Sequence, residues 1–82
     1  MDLVVLTETI IKKIVSDNES VSVKEFESTE ENTVQIEVVV SSDDLGKVIG
    51  KNGRTINSIR TIVQASAILN GNRRVKINVD SY

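Results

Sequence analysis

Cysteine, histidine, proline and tryptophan are all missing from this chain of 82 residues, and one Phe and one Tyr are its only aromatics. Without cysteine there are no disulfides and no thiolate metal sites to staple a fold. Without histidine the commonest neutral-pH proton carrier is gone, and with it much transition-metal chemistry. The remaining carboxylates gather at turns and on polar faces, where nothing supplies a tuned base or an activated nucleophile, so the chain reads as a non-enzyme. The lack of proline leaves no stiff recognition tail. No apolar run approaches the roughly 20 residues that a membrane helix needs, and the opening MDLVVLTETIIKK lacks the basic leader and small-residue cleavage site of a signal peptide. A cytoplasmic protein that does not enter a membrane is the expectation.

What is present is aliphatic and charged. A chain this short hides a modest fraction of its surface, so residues 1-82 are read as one domain held by packing alone. Its formal charge of -2 conceals a division: residues 1–42 carry -6 and residues 43–82 carry +4. A phosphate-binding face is therefore possible in the second half, while the acidic first half limits indiscriminate adsorption to polyanions.

Leu3, Leu6, Ile10, Ile11, Ile14 and Val15 recur at helical steps after a potential cap at Asp2, with Glu8, Lys12 and Ser16 facing away. SDNES interrupts this helix, and VSVKEFE resumes as a strand with Val21 and Val23 in phase and Phe26 out of phase. Burial of Phe26 through a bulge or strong twist is expected. STEEN is polar enough for a hairpin turn. Val34, Ile36, Val38 and Val40 then mark one face of a second strand. Ser41 or Ser42 can cap a very short helix through Leu45 to Val48, the spacing Ser41 to Asp44 fitting a capping box, and Gly50 and Gly53 stop it. The next helix, from near Gly53 to Asn70-Gly71, carries Ile56, Ile59, Val63 and Ala67 on one stripe, and Val75, Ile77 and Val79 alternate in the last strand.

The order reads α-β-β-α-α-β. A hairpin followed by a long crossover brings strand 74–79 back parallel to strand 34–40. The fold class is α+β, two layers, with a three-stranded mixed sheet and the helices on one face.

The short stretch KVIGKNGRTI raises a sharper question. A G-x-x-G pair between two helices is, at its plainest, a turn with Lys51 and Asn52 in water. Four features coincide here, however: the apolar pair Val48-Ile49 before the loop, a following helix with unpaired first-turn amides, the cation Lys51 at the tip, and Arg54 in the first turn. A cation at the positive end of a helix is unfavourable by about 0.3–1 kcal/mol unless an anion is bound there. A phosphate passing over close-lying glycine backbone would reverse that sign. Nucleotide cofactors fit less well. Gly46 and Gly50 enclose three residues where a P-loop needs four, Asn52 follows Lys51 where a magnesium-binding hydroxyl belongs, and no G-x-G-x-x-G occurs. No cofactor is expected.

The run DLGKVIGKNGRTINSIRTIVQAS, residues 44–66, together with the element order, resembles a type II KH domain and is more closely similar to the small bacterial single-domain KhpA/YlqC family. That resemblance implies recognition of single-stranded RNA, the loop clamping the backbone of about four nucleotides beside an apolar groove. Carried over by position, it implies Gly50, Lys51, Asn52 and Gly53 as the clamp, Val48 and Ile49 as its brace, Lys47 and Arg54 as backbone contacts, and Ile56 with Ile59 as the groove's support. Strand 34–40 would be the opposite wall, and Arg60 flanks the stripe. Ile36, Ile56 and Ile59 also read as core, and Arg73 and Arg74 as guards of an edge strand. With few aromatics, binding should rest on backbone geometry and discriminate little among bases. The family further implies an RNA chaperone or post-transcriptional regulator acting as a homodimer or with a larger KH-containing partner. A protein-interaction adaptor on the same scaffold is the alternative, and it would have no need of a cationic loop tip.

Overall fold

A computed structural model describes residues 2–82 and begins with Asp2 as the cap of α1 (Leu3–Ile14), its carboxylate accepting from the amides of Val4 and Val5. Leu3, Thr7 and Ile11 line the buried side of this helix, with Val15 enclosed just beyond it. Thr7 breaks the apolar pattern without cost because its hydroxyl donates to the Leu3 carbonyl at 2.7 Å. Two strands follow, β1 (Ser22–Glu27) and β2 (Thr33–Val40), then α2 (Ser42–Ile49), α3 (Arg54–Leu69) and β3 (Arg74–Ser81). This is the expected α-β-β-α-α-β order.

The sheet order is β1-β2-β3, with β1 antiparallel to β2 and β3 parallel to it, which makes the sheet mixed as expected. Val34, Ile36, Val38 and Val40 of β2 and Ile77 of β3 point to one face, where they meet Ile11, Val48, Ile56, Ile59, Val63 and Ala67 from the helices. The other face carries the odd-numbered β2 residues and is left to solvent, so the helices form a single layer.

Phe26 corrects one expectation. The β1–β2 register runs unbroken from Ser22 opposite Val39 to Glu27 opposite Val34, with no bulge, and places Phe26 opposite Gln35. Strand alternation therefore carries the ring to the uncovered face, where it is 49% exposed. Size argued for burial; phase decided against it.

Asp44 corrects another. The residue is 1% exposed, yet its carboxylate does not cap α2. Its Oδ1 accepts from the Ser16 amide and its Oδ2 from the Asp17 amide, both at 3.0 Å, and the Ser41 hydroxyl donates to Oδ2 at 2.9 Å. The two amides just past α1 lack helical acceptors, and a full carboxylate satisfies them better than a reach back to its own cap would. α2 is also longer than expected, extending through Ile49. At the far end of the molecule, Asn32 and Asn72 both adopt left-handed backbone, and the Asn32 side chain donates to the Asn72 carbonyl at 2.8 Å, tying the hairpin turn to the α3–β3 turn.

Candidate functional site

The loop between α2 and α3 is one turn of 3-10 helix, Lys51–Gly53, entered through Gly50 at φ 75, ψ 173 and left through Gly53 at φ 75, ψ 13. Asn52 between them is also left-handed, at φ 57. Consecutive positive φ values turn the chain sharply enough to start α3 directly. The two glycines answer different demands. A Cβ on Gly50 would lie 2.2 Å from Thr55 Oγ1 and 2.9 Å from the Thr55 nitrogen, so the core side of the loop forbids a side chain. A Cβ on Gly53 would find only the Asn57 amide nitrogen, 3.8 Å away, leaving its outer surface open to close approach.

No side chain caps the N-terminus of α3, and no acidic residue lies in its first turn. Lys51, Asn52 and Arg54 are exposed. The ion pairs among the described residues join Glu8 to Lys12, Asp44 to Lys47 and Glu30 to Lys76, so neither Lys51 nor Arg54 is neutralised. The loop thus presents two uncompensated cations and a helix N-terminus to solvent, a combination that attracts anions.

The other sequence-selected residues divide. Val48 is buried at the core and Ile56 nearly so, whereas Ile49 is 37% exposed, so only half of the bracing pair is inside. Lys47 is moored: its Nζ donates to Ser16 Oγ at 2.5 Å and lies 3.4 Å from Asp44 Oδ1. Asp44 itself is held down to about 2, chiefly by the amide of Asp17 and then that of Ser16, with burial opposing and the Ser41 hydroxyl and Lys47 assisting. Arg73 and Arg74 follow the far end of α3, whose 16 residues span about 24 Å at the helical rise. They are not part of the loop's surroundings.

Strand 34–40 does not form the wall assigned to it. β2 is the central strand and its helix-facing side chains are buried, so the strand edge available beside α3 is that of β3. Between α3 and that edge runs a groove of about 440 Å³ lined by Arg60, Thr61, Gln64, Ala65, Ile68 and Val75. Arg60 donates from Nε and Nη2 to the Ile77 carbonyl at 3.3 and 3.0 Å and from Nη1 to Asn57 Oδ1 at 3.1 Å. Gln64 donates to the Arg73 carbonyl at 2.9 Å and accepts from the Val75 amide at 3.0 Å. Asn57 and Gln64 were not selected from the sequence. The available signal was their spacing: positions 53, 57, 60 and 64 lie along one side of a helix that starts at the loop.

Among the described residues there is no cluster of three or more metal-ligating side chains and no helix long and apolar enough to cross a membrane. Two crystal structures of Era share the fold: one of the Aquifex aeolicus protein bound to GDP.AlF4-, the other in complex with MgGDPNP and nucleotides 1506-1542 of 16S ribosomal RNA. Each matches 96% of this chain and 29% of the Era chain at a TM-score of 0.69, with 17% and 18% identity. Among curated proteins, RNA-binding protein KhpA of Clostridium acetobutylicum is 40% identical over 90% of this chain and 95% of its own length. KhpA of Clostridium perfringens is 42% identical over 90% and 95%, and KhpA of Thermotoga maritima 40% identical over 90% and 93%. These relatives are named for binding RNA rather than for a reaction, in keeping with a non-enzyme. The family model described as "KhpA/KhpB, KH domain" matches residues 5–79, and the chain therefore belongs to the KhpA/KhpB family of KH domains.

Proposed function

We propose that this protein binds single-stranded RNA by passing the phosphate backbone over Gly50-Lys51-Asn52-Gly53, and that it serves as an RNA chaperone or post-transcriptional regulator. The observation that carries the reading is the open N-terminus of α3, uncapped by any side chain and flanked by the unpaired cations Lys51 and Arg54. Phosphate oxygens supply the acceptors that the first-turn amides lack, and the outer surface of Gly53 allows them near. Val48 and Ile56 support the loop from its core side, Ile49 stays at the surface beside it, and Lys47 contributes charge from its moored position. The names of the KhpA relatives support the same ligand class.

The test replaces Lys51 and Asn52 together with Asp. Both side chains are exposed, and Asp is among the few residues that tolerate the left-handed backbone found at position 52, so stability should change by less than about 1 kcal/mol. Binding to mixed-sequence RNA oligomers, followed by fluorescence anisotropy, should nearly vanish. For the unaltered protein, about three phosphates engaged give a slope of log affinity against log salt near -2. Equal RNA binding by the folded variant would reject the loop as the clamp.

Pairing, as a homodimer or with a larger KH-containing protein, is the second part of the proposal. Ile62 and Leu69, two turns apart on one side of α3, are exposed, Leu69 by 85%, and give the helix an apolar outer side suited to protein contact. A second groove would add avidity to a weak first one. Sedimentation equilibrium should show self-association or recruitment of a KH partner that Ile62→Lys abolishes. A protein that stays monomeric and recovers no KH partner would remove this part.

A further inference from the structure

Asn57 closes the first turn of α3, and helical side chains lean back toward the N-terminus, so its carboxamide reaches toward Gly53. A Cβ on Gly53 would meet only Asn57 Nδ2, at 3.8 Å, which puts that nitrogen at the rim of the surface left open for close approach. The carboxamide is not free to turn. Arg60, on the next turn of the helix, donates from Nη1 to Asn57 Oδ1 at 3.1 Å, while its Nε and Nη2 both donate to the Ile77 carbonyl. Because a guanidinium carries donors and no acceptor, the atom facing it must be the carboxamide oxygen. The NH2 group therefore faces Gly53, and among the described residues it has no acceptor. Arg60 has no acidic partner among them either, so its charge polarises the carboxamide and strengthens the NH2 group as a donor.

We infer that Asn57 is a further RNA-contacting residue, its Nδ2 donating to a backbone oxygen of the strand as it crosses Gly53, and that Arg60 is its positioning residue. This inference rests on the RNA clamp proposed above and deepens it. A strand passing over Gly53 comes within reach of whatever borders that glycine, and the border is a donor that the fold orients and leaves unsatisfied. Orientation separates Asn57 from an ordinary solvated side chain. A side chain turning freely in water must be ordered on binding, whereas this one is already held, through Arg60, to the carbonyl of the buried residue Ile77. The contact also differs in kind from those of Lys51 and Arg54: a neutral amide displaces no counterion, so it adds affinity without adding salt dependence. An oxygen of phosphate or of the ribose 2′-hydroxyl suits such a donor equally, and DNA tells the two apart.

Asn57→Ala removes the donor from an exposed helical position where Ala is the better helix former, so thermal melts should show no loss of stability. Anisotropy titrations with a mixed-sequence RNA oligomer should show affinity weakened about fivefold, the worth of one net hydrogen bond, with the slope of log affinity against log salt unchanged. Lys51→Ala, by contrast, should shrink that slope by about 0.7. Arg60→Lys keeps the charge but not the fork, and should weaken binding comparably. Adding Asn57→Ala to it should then weaken binding little further, since both act through one contact. A DNA oligomer of the same sequence identifies the acceptor: an equal loss on DNA assigns a phosphate oxygen, and a loss on RNA alone assigns the 2′-hydroxyl. Unchanged RNA affinity in Asn57→Ala would overturn the inference, and leave the clamp in place where Lys51→Ala still shrinks the slope. A slope that falls together with the affinity in Asn57→Ala would overturn it too, since the loss would then be electrostatic. Fully additive losses from the two substitutions would remove Arg60 from its role. Failure of the unaltered protein to bind RNA would remove the clamp and this inference together.

Discussion

A methyl group placed on Gly50 would lie 2.2 Å from Thr55 Oγ1, whereas on Gly53 its nearest neighbour would be 3.8 Å away at Asn57. Gly50→Ala should therefore cost on the order of 3 kcal/mol or more, combining overlap with an unfavourable backbone. Gly53→Ala should cost about 1–2 kcal/mol, from the backbone alone. Urea melts separate the two. Because Gly53 is open outward, Gly53→Asn should recover most of that stability while still weakening RNA binding, which a purely architectural glycine would not do. Asp44 gives a pH signature. Its folded pKa is lowered from the ordinary 3.8 to about 2, so the stability it contributes is complete above the higher value and lost as pH falls through the lower. Asp44→Asn should lower the melting temperature at neutral pH and flatten its decline in that acid window, as scanning calorimetry from pH 5 to pH 2 would measure. A decline equally steep in both proteins would place the acid sensitivity elsewhere.

The two faces of the sheet should respond oppositely to substitution. Ile36→Ala on the helix-covered face removes packing from a fully enclosed site and should cost about 2–5 kcal/mol. Phe26→Thr on the open face removes a larger side chain yet should cost less than about 1 kcal/mol, because only half of the ring is shielded. Chemical denaturation of the two variants checks the ordering. The same contrast explains what could be read from the letters. Val34, Ile36, Val38 and Val40 declare their face by period two alone, and Ile56, Ile59, Val63 and Ala67 do so at helical spacing. Phe26 is the exception that its size hides: the strand's period of two, not the bulk of the ring, sets the face it occupies. Asn57 and Gln64 went unnoticed because polar residues flanking a buried stripe look like any solvated helix face until a strand edge is set beside them.

Across the whole molecule the charge division seen along the chain is undone at one end and kept at the other. Glu30 pairs with Lys76 near the hairpin, where Arg74 also stands, while Lys51 and Arg54 lie at the opposite end of α3 without acidic partners. About 24 Å of helix is several Debye lengths at physiological salt. Glu30→Gln with Glu31→Gln should thus leave RNA affinity within about twofold at 0.15 M salt, despite raising the net charge. A larger gain in a filter-binding or anisotropy assay would mean that RNA extends to this end. Element order and layering were legible because hairpins and crossovers obey few rules. Which strand borders α3 was not, since the glycine motif lies on helices and does not name the strand that will return alongside. That return has a kinetic side. β2 and β3 pair in parallel only after residues 41–73 have looped back, so the unfolded chain must close a loop of about 33 residues, an entropy of roughly 3 kcal/mol, before the first β3 contact forms. The hairpin precedes it on a microsecond scale. The glycine loop lies within the segment being closed. In stopped-flow refolding, Gly50→Ala should chiefly speed unfolding, whereas Val38→Ala, on the strand to which both neighbours must attach, should chiefly slow folding.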